Sequence, residues 1–437
     1  MNAPPDHQPR IVPRAEHGIS RKDISHNALR VLYRLREGGF GAFLVGGAVR
    51  DLLVGGHPKD FDVATDATPE QVRQLFRNCR LIGRRFRLAH VHFGREIIEV
   101  ATFRAHGDDG SGDRELADGR LVRDNIYGSI EEDAIRRDFT ANALYYAIED
   151  FSVRDYVGGY EDVRARVLRL IGDPEQRYRE DPVRMLRAVR LAAKLDFRIE
   201  AAAAAAIPKL APLLADAAPA RLFEEMLKLF LSGNAVASWD GLRSSALLPE
   251  LLPETAAALA GEDGRTEAMI RQGMASTDAR IGEDKPVTPA FLFAVLLWPA
   301  FRAWRDRLVA EGVEPALADQ RAADRAILHQ SERVALPRRF SMPMHEIWML
   351  QARFGQRQKK RVLRLLSHPR FRAAFDFLDL RAVEDPALAG EVAFWREAQG
   401  APPEQLAERL ATAAAPGGEA GTRRRRRRRR RKTAPQG

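Results

Sequence analysis

Two carboxylates, Asp60 and Asp62, stand two residues apart in Lys59-Asp60-Phe61-Asp62-Val63-Ala64-Thr65. On a strand they project to one side, with Phe61 and Val63 on the opposite, buried side. Carboxylates that close repel one another unless a cation sits between them. Hard oxygen donors suit a pair of Mg²⁺ ions. Just upstream, Leu44-Val45-Gly46-Gly47-Ala48-Val49-Arg50-Asp51 reads as the end of a buried strand, a Gly-Gly break and a short helix to Leu53. Such a turn offers free backbone N–H groups to a phosphate, and Arg50 adds a charged donor. An isolated Asp-x-Asp is more commonly a solvated strand edge. A phosphate cradle followed by metal carboxylates points instead to nucleotidyl transfer by two metal ions.

Three further stretches offer polar groups at meaningful spacing. Ile135 to Leu144 reads as mostly helical and brings Arg137, Asp138 and Asn142 within about one and a half turns. In Glu180-Asp181-Pro182-Val183-Arg184-Met185-Leu186-Arg187, the residues Asp181, Arg184 and Arg187 are three apart and share a helical face. The plainer reading is an i,i+3 ion pair. The sharper one is base recognition, with a carboxylate accepting from an exocyclic amino group while a guanidinium donates to the adjacent ring nitrogen. That pair selects A or C over G or U and leaves A against C to pocket size and rigidity. Finally, Gly83-Arg84-Arg85-Phe86-Arg87-Leu88-Ala89-His90-Val91 alternates basic and apolar residues. It reads as an amphipathic strand, or as a basic ledge of Arg84, Arg85 and Arg87 for triphosphate or RNA.

The elements that position these groups follow from periodicity. A helix is expected from about His26 to Arg36, ended by Gly38-Gly39, and another from Thr68-Pro69 to about Arg77. Leu81–Phe93 and Glu96–Phe103 read as strands, and Ala105–Arg120, rich in Gly and Asp, as a mobile loop. From Pro174 strands are not expected. Helices are expected at about Asp181–Leu195, Ala201–Leu214, Pro219–Leu231 and Pro289–Val309, and onward to about Gln399.

Composition narrows the class. The 437-residue chain carries a net charge of +10, and Arg423–Lys432 alone supplies ten positive charges, so the remainder is balanced. That run cannot pack a core and must be solvated or bound to polyanion, with Arg423, Arg424 and Arg425 as representative RNA contacts. A single cysteine, Cys79, excludes an internal disulfide and a multi-thiolate zinc site and suits a reducing cytoplasm. No apolar stretch is long enough to span a bilayer.

In their order, the motifs Gly46-Gly47-Ala48-Val49-Arg50-Asp51, Asp60-Phe61-Asp62, Arg136-Arg137-Asp138-Phe139-Thr140-Ala141-Asn142 and Glu180-Asp181-Pro182-Val183-Arg184 resemble the poly(A) polymerase and tRNA CCA-adding nucleotidyltransferase family. The stretch Leu81–Val91 looks like its bacterial polymerase branch. The resemblance implies an α+β architecture: a nucleotidyltransferase head with a mixed sheet over 15–172, a helical neck over 173–235, and a helical body and tail over 236–416. These would lie between a disordered leader, 1–14, and an arginine-rich tail, 417–437. It implies that Asp60 and Asp62 hold the metals and that Asp138 belongs to the catalytic set. Gly46, Gly47, Arg50, Arg137, Asn142, Asp181, Arg184 and Arg187 would then serve the nucleotide. Glu99 is a further carboxylate candidate, from pattern alone. The implied activity is Mg²⁺-dependent addition of adenylate from ATP to RNA 3′ ends, marking messenger and regulatory RNAs for decay, with RNA-decay proteins as partners and no membrane. A CCA-adding enzyme and an RNA-binding adaptor with an inactive core are the rival readings.

Overall fold

An eight-stranded mixed sheet carries the first two hundred residues. The computed structural model describes residues 9–83, 87–105, 114–117, 120–124, 127–261 and 263–412, the two short segments 114–117 and 120–124 by their backbone. The sheet strands, in chain order, are β1 (Arg10–Val12), β2 (Ala42–Val45), β3 (Asp62–Thr65), β4 (Cys79–Ile82), β5 (Leu88–Phe93) and β6 (Glu96–Thr102). After a separate hairpin of β7 (Arg114–Ala117) and β8 (Arg120–Asp124) come β9 (Leu144–Ala147) and β10 (Val153–Asp155). The order across the sheet is β1-β10-β9-β2-β3-β6-β5-β4, and its one parallel pair is β3 with β6.

Helices clothe the sheet as the apolar periodicity requires. Helix α1 (His26–Glu37) buries Val31, Leu32 and Leu35 against β2, β3 and β6. Helix α2 (Gly47–Leu53) follows β2 directly. Helix α3 (Pro69–Leu75) starts with a reciprocal cap between Thr68 and Gln71 and buries Val72. On the other face Phe43, Val45, Ala64, Phe103 and Tyr145 form a core with Ala134 of α4 (Ile130–Ile135).

Four expectations need correction. The chain from Arg10 is structured: β1 pairs with β10, and the guanidiniums of Arg14 and Arg21 lie over the Phe151 ring. The expected strand Leu81–Phe93 is two strands, broken where Gly83 takes φ +88°. Arg114–Ala117, expected in a loop, is a strand. Strands also resume after Pro174, because β11 (Val167–Leu168) pairs in parallel with β12 (Arg198–Ile199).

Between and beyond these lie α5 (Gly159–Arg164), α6 (Pro174–Glu180), α7 (Val183–Leu195), α8 (Ala201–Leu210) and α9 (Pro219–Phe230). Ala235–Arg333 is helical throughout its described elements, and Pro299 divides the long helix expected over Pro289–Val309 into Pro289–Leu296 and Trp298–Ala310. The chain divides after Met342 into two compact units. The second is organised around Phe354, Phe371, Phe375 and Trp395, whose indole N–H donates to the Phe354 carbonyl at 2.9 Å. Among the described residues no helix is long and apolar enough to cross a membrane.

A histidine ties down the N-terminal attachment. His17 faces the Phe151 carbonyl with Nε2 at 2.9 Å and accepts the Ile19 N–H on Nδ1. Burial, reinforced by Arg14, holds its imidazole below the usual pKa, although the Phe151 bond opposes the shift. A group whose folded pKa is depressed contributes full stability above its unfolded value, about 6.5, and loses it as pH falls through the folded value. The expected result is a His17 NMR titration midpoint below 6.5. The thermal midpoint should also fall below pH 6.5 more steeply in the native chain than in His17→Gln.

Candidate active site

Register alone assembles the carboxylates. Val45 of β2 lies opposite Asp62 of β3, Asp62 opposite Glu99 of β6, Glu99 opposite His90 of β5, and His90 opposite Arg80 of β4. Partners in register share a face, so Asp62, Glu99 and His90 stand side by side. Asp60 stands two residues ahead of the start of β3 and, like Asp62, is exposed, while Phe61 and Val63 are buried, as the alternation requires. His90 Nε2 lies 3.3 Å from Glu99 Oε2. The Asp62 side chain reaches solvent, yet the protein around it pushes its pKa up to about 6, with Glu99 and Asp60 adding repulsion and Arg137 opposing it. Among the described residues no three His, Cys, Asp or Glu side chains are already gathered to hold an ion. Even so, Asp62 and Glu99 in register, with Asp60 close by in the chain, are carboxylates whose mutual repulsion a cation would relieve, and they suit a hard divalent metal. The alternation in Ile97–Ala101 nominated Glu99; His90 escaped the sequence reading because only the β5–β6 register brings it to that carboxylate.

Beside the carboxylates, the Gly46-Gly47 turn joins β2 to α2. Gly46 has φ +70° and ψ −137°, a conformation open to glycine. A Cβ on Gly47 would come within 3.2 Å of the Arg50 guanidinium. Arg50 itself is buried. Its Nε and Nη2 donate to Asp51 Oδ1 at 2.8 and 2.6 Å, and Nη1 donates to Asn142 Oδ1. The expected free phosphate donor is therefore a brace beneath the turn.

The motif Arg136–Asn142 departs most from expectation. Helix α4 stops at Ile135, and a short 3₁₀ turn, Thr140–Asn142, leads into β9. Arg137 reaches back to Asp133 Oδ2 at 2.8 Å and to the Tyr145 hydroxyl at 3.0 Å. Burial opposes its charge, but Tyr145 and Asp133 more than restore it, so it stays a cation within electrostatic reach of Asp62. Asp138 receives the Phe139 N–H at 2.8 Å, Asn142 Nδ2 at 3.1 Å and Arg187 Nε at 2.9 Å. Burial alone would raise its pKa; the charge and hydrogen bonds of Arg187 outweigh that and hold it below the carboxylate range. A carboxylate so committed is placed to position its neighbours.

Six side chains consequently form a closed ring. From α7, Lys194 Nζ meets Asp51 Oδ2 at 3.4 Å. Asp51 holds Arg50, Arg50 holds Asn142, Asn142 holds Asp138, and Asp138 returns to Arg187 on α7. Arg190 adds a bond to the buried Glu225 of α9 at 3.1 Å.

At the head of α7, Asp181 does not share its helical face. It caps α6, with its N–H on the Arg177 carbonyl at 3.3 Å, because Pro182 cannot continue the preceding turn. Its Oδ1 accepts the Val183 N–H at 3.2 Å and its Oδ2 accepts Arg221 Nη2 of α9 at 2.7 Å. Arg184 donates to Glu180 Oε2 at 2.9 Å and to the Arg177 carbonyl at 2.8 Å. Asp181 and Arg184 are thus held separately, each by its own partner. Arg187 is engaged by Asp138 rather than facing a base. Arg221 and Lys194 were missed because their partners lie on other elements, whereas Arg177 and Glu180 pair within α6 at 2.9 Å as well as reaching beyond it. Arg87 pairs with Glu70 at 2.6 Å. Arg84, Arg85 and the run containing Arg423, Arg424 and Arg425 lie outside the described residues.

A strand, a Gly-Gly turn, paired carboxylates on the next strand and a helical neck define a nucleotidyltransferase of the poly(A) polymerase and CCA-adding class. The family described as "Poly A polymerase head domain" matches residues 42–169, "Probable RNA and SrmB- binding site of polymerase A" matches 196–259, and "Polymerase A arginine-rich C-terminus" matches 311–432. Poly(A) polymerase I of Salmonella typhi is 53% identical over 90% of this chain and 87% of its own, and that of Haemophilus influenzae is 46% identical over 88% and 86%. The crystal structure of the Bacillus stearothermophilus CCA-adding enzyme with CTP aligns with TM-score 0.55 and 27% identity, covering 88% of this chain and 80% of its own. The chain belongs to the bacterial poly(A) polymerase I family.

Proposed function

We propose that this chain polyadenylates RNA 3′ ends: it transfers AMP from ATP to the terminal 3′-hydroxyl, without a template, and releases pyrophosphate. The observation that carries the reading is the row Asp62–Glu99, with Asp60 alongside and the Gly46-Gly47 turn next to it, in a chain 53% identical to poly(A) polymerase I. The RNA 3′-oxygen attacks the α-phosphorus, its proton leaves to solvent, and the bond to the β-phosphate oxygen breaks. Mg²⁺ is the proposed metal, held by Asp60 and Asp62 with Glu99 beside them. When bound, it supplies activation of the hydroxyl and neutralisation of the leaving oxygens. The Gly46-Gly47 N–H groups face phosphate, Arg50 keeps that turn in shape, and Arg137 balances the charge of Asp62. Asp138 and Asn142 tie the turn to α7, so Asp138 is read as a positioning residue.

Asp181 and Arg184 are proposed to read the base. Arg221 and Glu180 hold them at fixed places, which suits selection of one ring size. The tail from Arg423 is proposed to tether RNA through its phosphates, the setting to be cytoplasmic, and the outcome to be RNA decay in company with decay proteins.

One gel of the purified chain with RNA, Mg²⁺ and each nucleotide in turn tests the reading. ATP should extend the primer, CTP poorly, and GTP and UTP hardly at all. Arg184→Ala should lose discrimination as well as rate. Incorporation of GTP as readily as ATP would overturn the base-edge model. Completion of a tRNA lacking its 3′ end from CTP and ATP would favour the CCA-adding alternative.

A further inference from the structure

Away from the site, two helices carry an arrangement that the reaction does not use. Helix Trp298–Ala310 and helix Pro315–Arg333 pack on one another. Between them, the Trp304 indole N–H donates to Glu254 Oε1 at 3.0 Å, and the same oxygen lies 2.8 Å from His329 Nδ1. His329 meets the indole edge-on, with centroids 5.3 Å apart and planes at 83°. The indole is therefore fixed at two points. The Arg307 guanidinium carbon lies 4.5 Å from its ring centroid and that of Arg325 4.8 Å, which bounds their separation at about 9 Å. Both arginines are exposed.

The nearby carboxylates do not neutralise them. Asp306 and Asp319 are engaged by Arg305, and Glu254 by Trp304 and His329. Among the described residues Arg307, Arg321 and Arg325 have no acidic partner. Two like charges held over one ring are attracted by its quadrupole and repelled by each other. An anion between them would relieve the repulsion. The second helix extends the pattern: Leu317, Arg321, Arg325 and Leu328 are exposed at spacings of four, four and three, so they form one stripe. Leu328 is 60% exposed. Guanidiniums that meet phosphates, with exposed apolar side chains beside them, hold a single strand through its backbone charge without regard to sequence.

We propose that the Trp304 clamp, with Arg307, Arg325 and the Leu317–Leu328 stripe, is a docking surface for the sugar-phosphate backbone of single-stranded RNA upstream of the reacting 3′ end. The proposal rests on RNA being the substrate. Arginine is suited to it because its planar fork both stacks on an aromatic ring and donates two parallel bonds to a phosphate. The surface anchors the strand and does no chemistry.

The test uses the full chain and its Arg307→Gln/Arg325→Gln variant. Extension of a saturating short oligoadenylate by ATP, and the thermal midpoint, should be unchanged, since both arginines are exposed and apart from the carboxylate row. Failure of both proteins to extend that primer would count against the proposed function and not against the surface. Binding of a long unstructured RNA should weaken about tenfold. Its log–log salt slope should become shallower by about 1.4, two phosphates at about 0.7 each. Ultraviolet cross-linking of 4-thiouridine RNA should label the Trp304 peptide in the native chain and lose that label in the variant. Unchanged RNA affinity and salt slope would overturn the proposal. So would a variant that keeps RNA affinity but loses binding to an acidic protein segment, which would assign the surface to a protein partner.

Discussion

Asp62→Asn is expected to reduce single-turnover AMP transfer by about four orders of magnitude, which at 1.36 kcal/mol per decade is about 5 kcal/mol of barrier. Asp60→Asn should behave alike. The thermal midpoint should hold or rise, because the Asp62 carboxyl is under repulsion from Glu99 and Asp60, and the amide removes that repulsion. A residue retained at some cost to stability is the pattern of a working site. Quenched-flow transfer and calorimetry on the same samples provide the check. Near-native transfer in either variant would refute the assignment of these two carboxylates.

Asp138→Asn should give the opposite signature. Asp138 is partly buried and bound to Arg187, Asn142 and the Phe139 N–H. The amide leaves the Arg187 cation facing a neutral group. Breaking such a pair from one side costs about 3 kcal/mol. The thermal midpoint should therefore fall together with the rate. If Asp138 acts by positioning, Arg187→Gln should mimic it, and the double variant should lose much less stability than the two single losses combined. A rate loss at full stability, with Arg187→Gln near normal, would return Asp138 to the chemistry itself.

The two carboxylates with the largest expected effects were not equally legible in the sequence. Asp60 and Asp62 are fixed by strand alternation, the Gly46 break by the conformation glycine alone takes readily, and the start of the Pro69 helix by Thr68 and Gln71, three residues apart. Each is a local rule acting within a few residues. The role of Asp138 depends on Arg187, and that of Asp51 on Lys194, forty-nine and 143 residues away. Such pairings exist only once the sheet and neck have formed. The same distance hid His90 beside Glu99 and Arg221 beside Asp181. The helix expected through Arg137 failed for a related reason. Its residues favour helix locally, but Phe139 is fully buried and bridges to Leu170, and that tertiary pairing overrides propensity.

The parallel pair of β11 and β12 bears on how such a chain could be taken apart. Val167–Leu168 ends the head, yet the strand beside it, Arg198–Ile199, comes after α7. Arg177 of α6 reaches back to the carbonyls of Arg136 and Arg137 at 3.0 and 2.6 Å. A fragment cut near Gly172 would thus carry Asp60, Asp62 and Glu99 and still be missing a strand, a buried arginine and two of the six side chains of the ring, Arg187 and Lys194. Residues on either side of Gly172 therefore complete one another's structure. A head of this kind should not survive transplantation as an independent module, and an exchange between relatives should place its junction beyond Ile199.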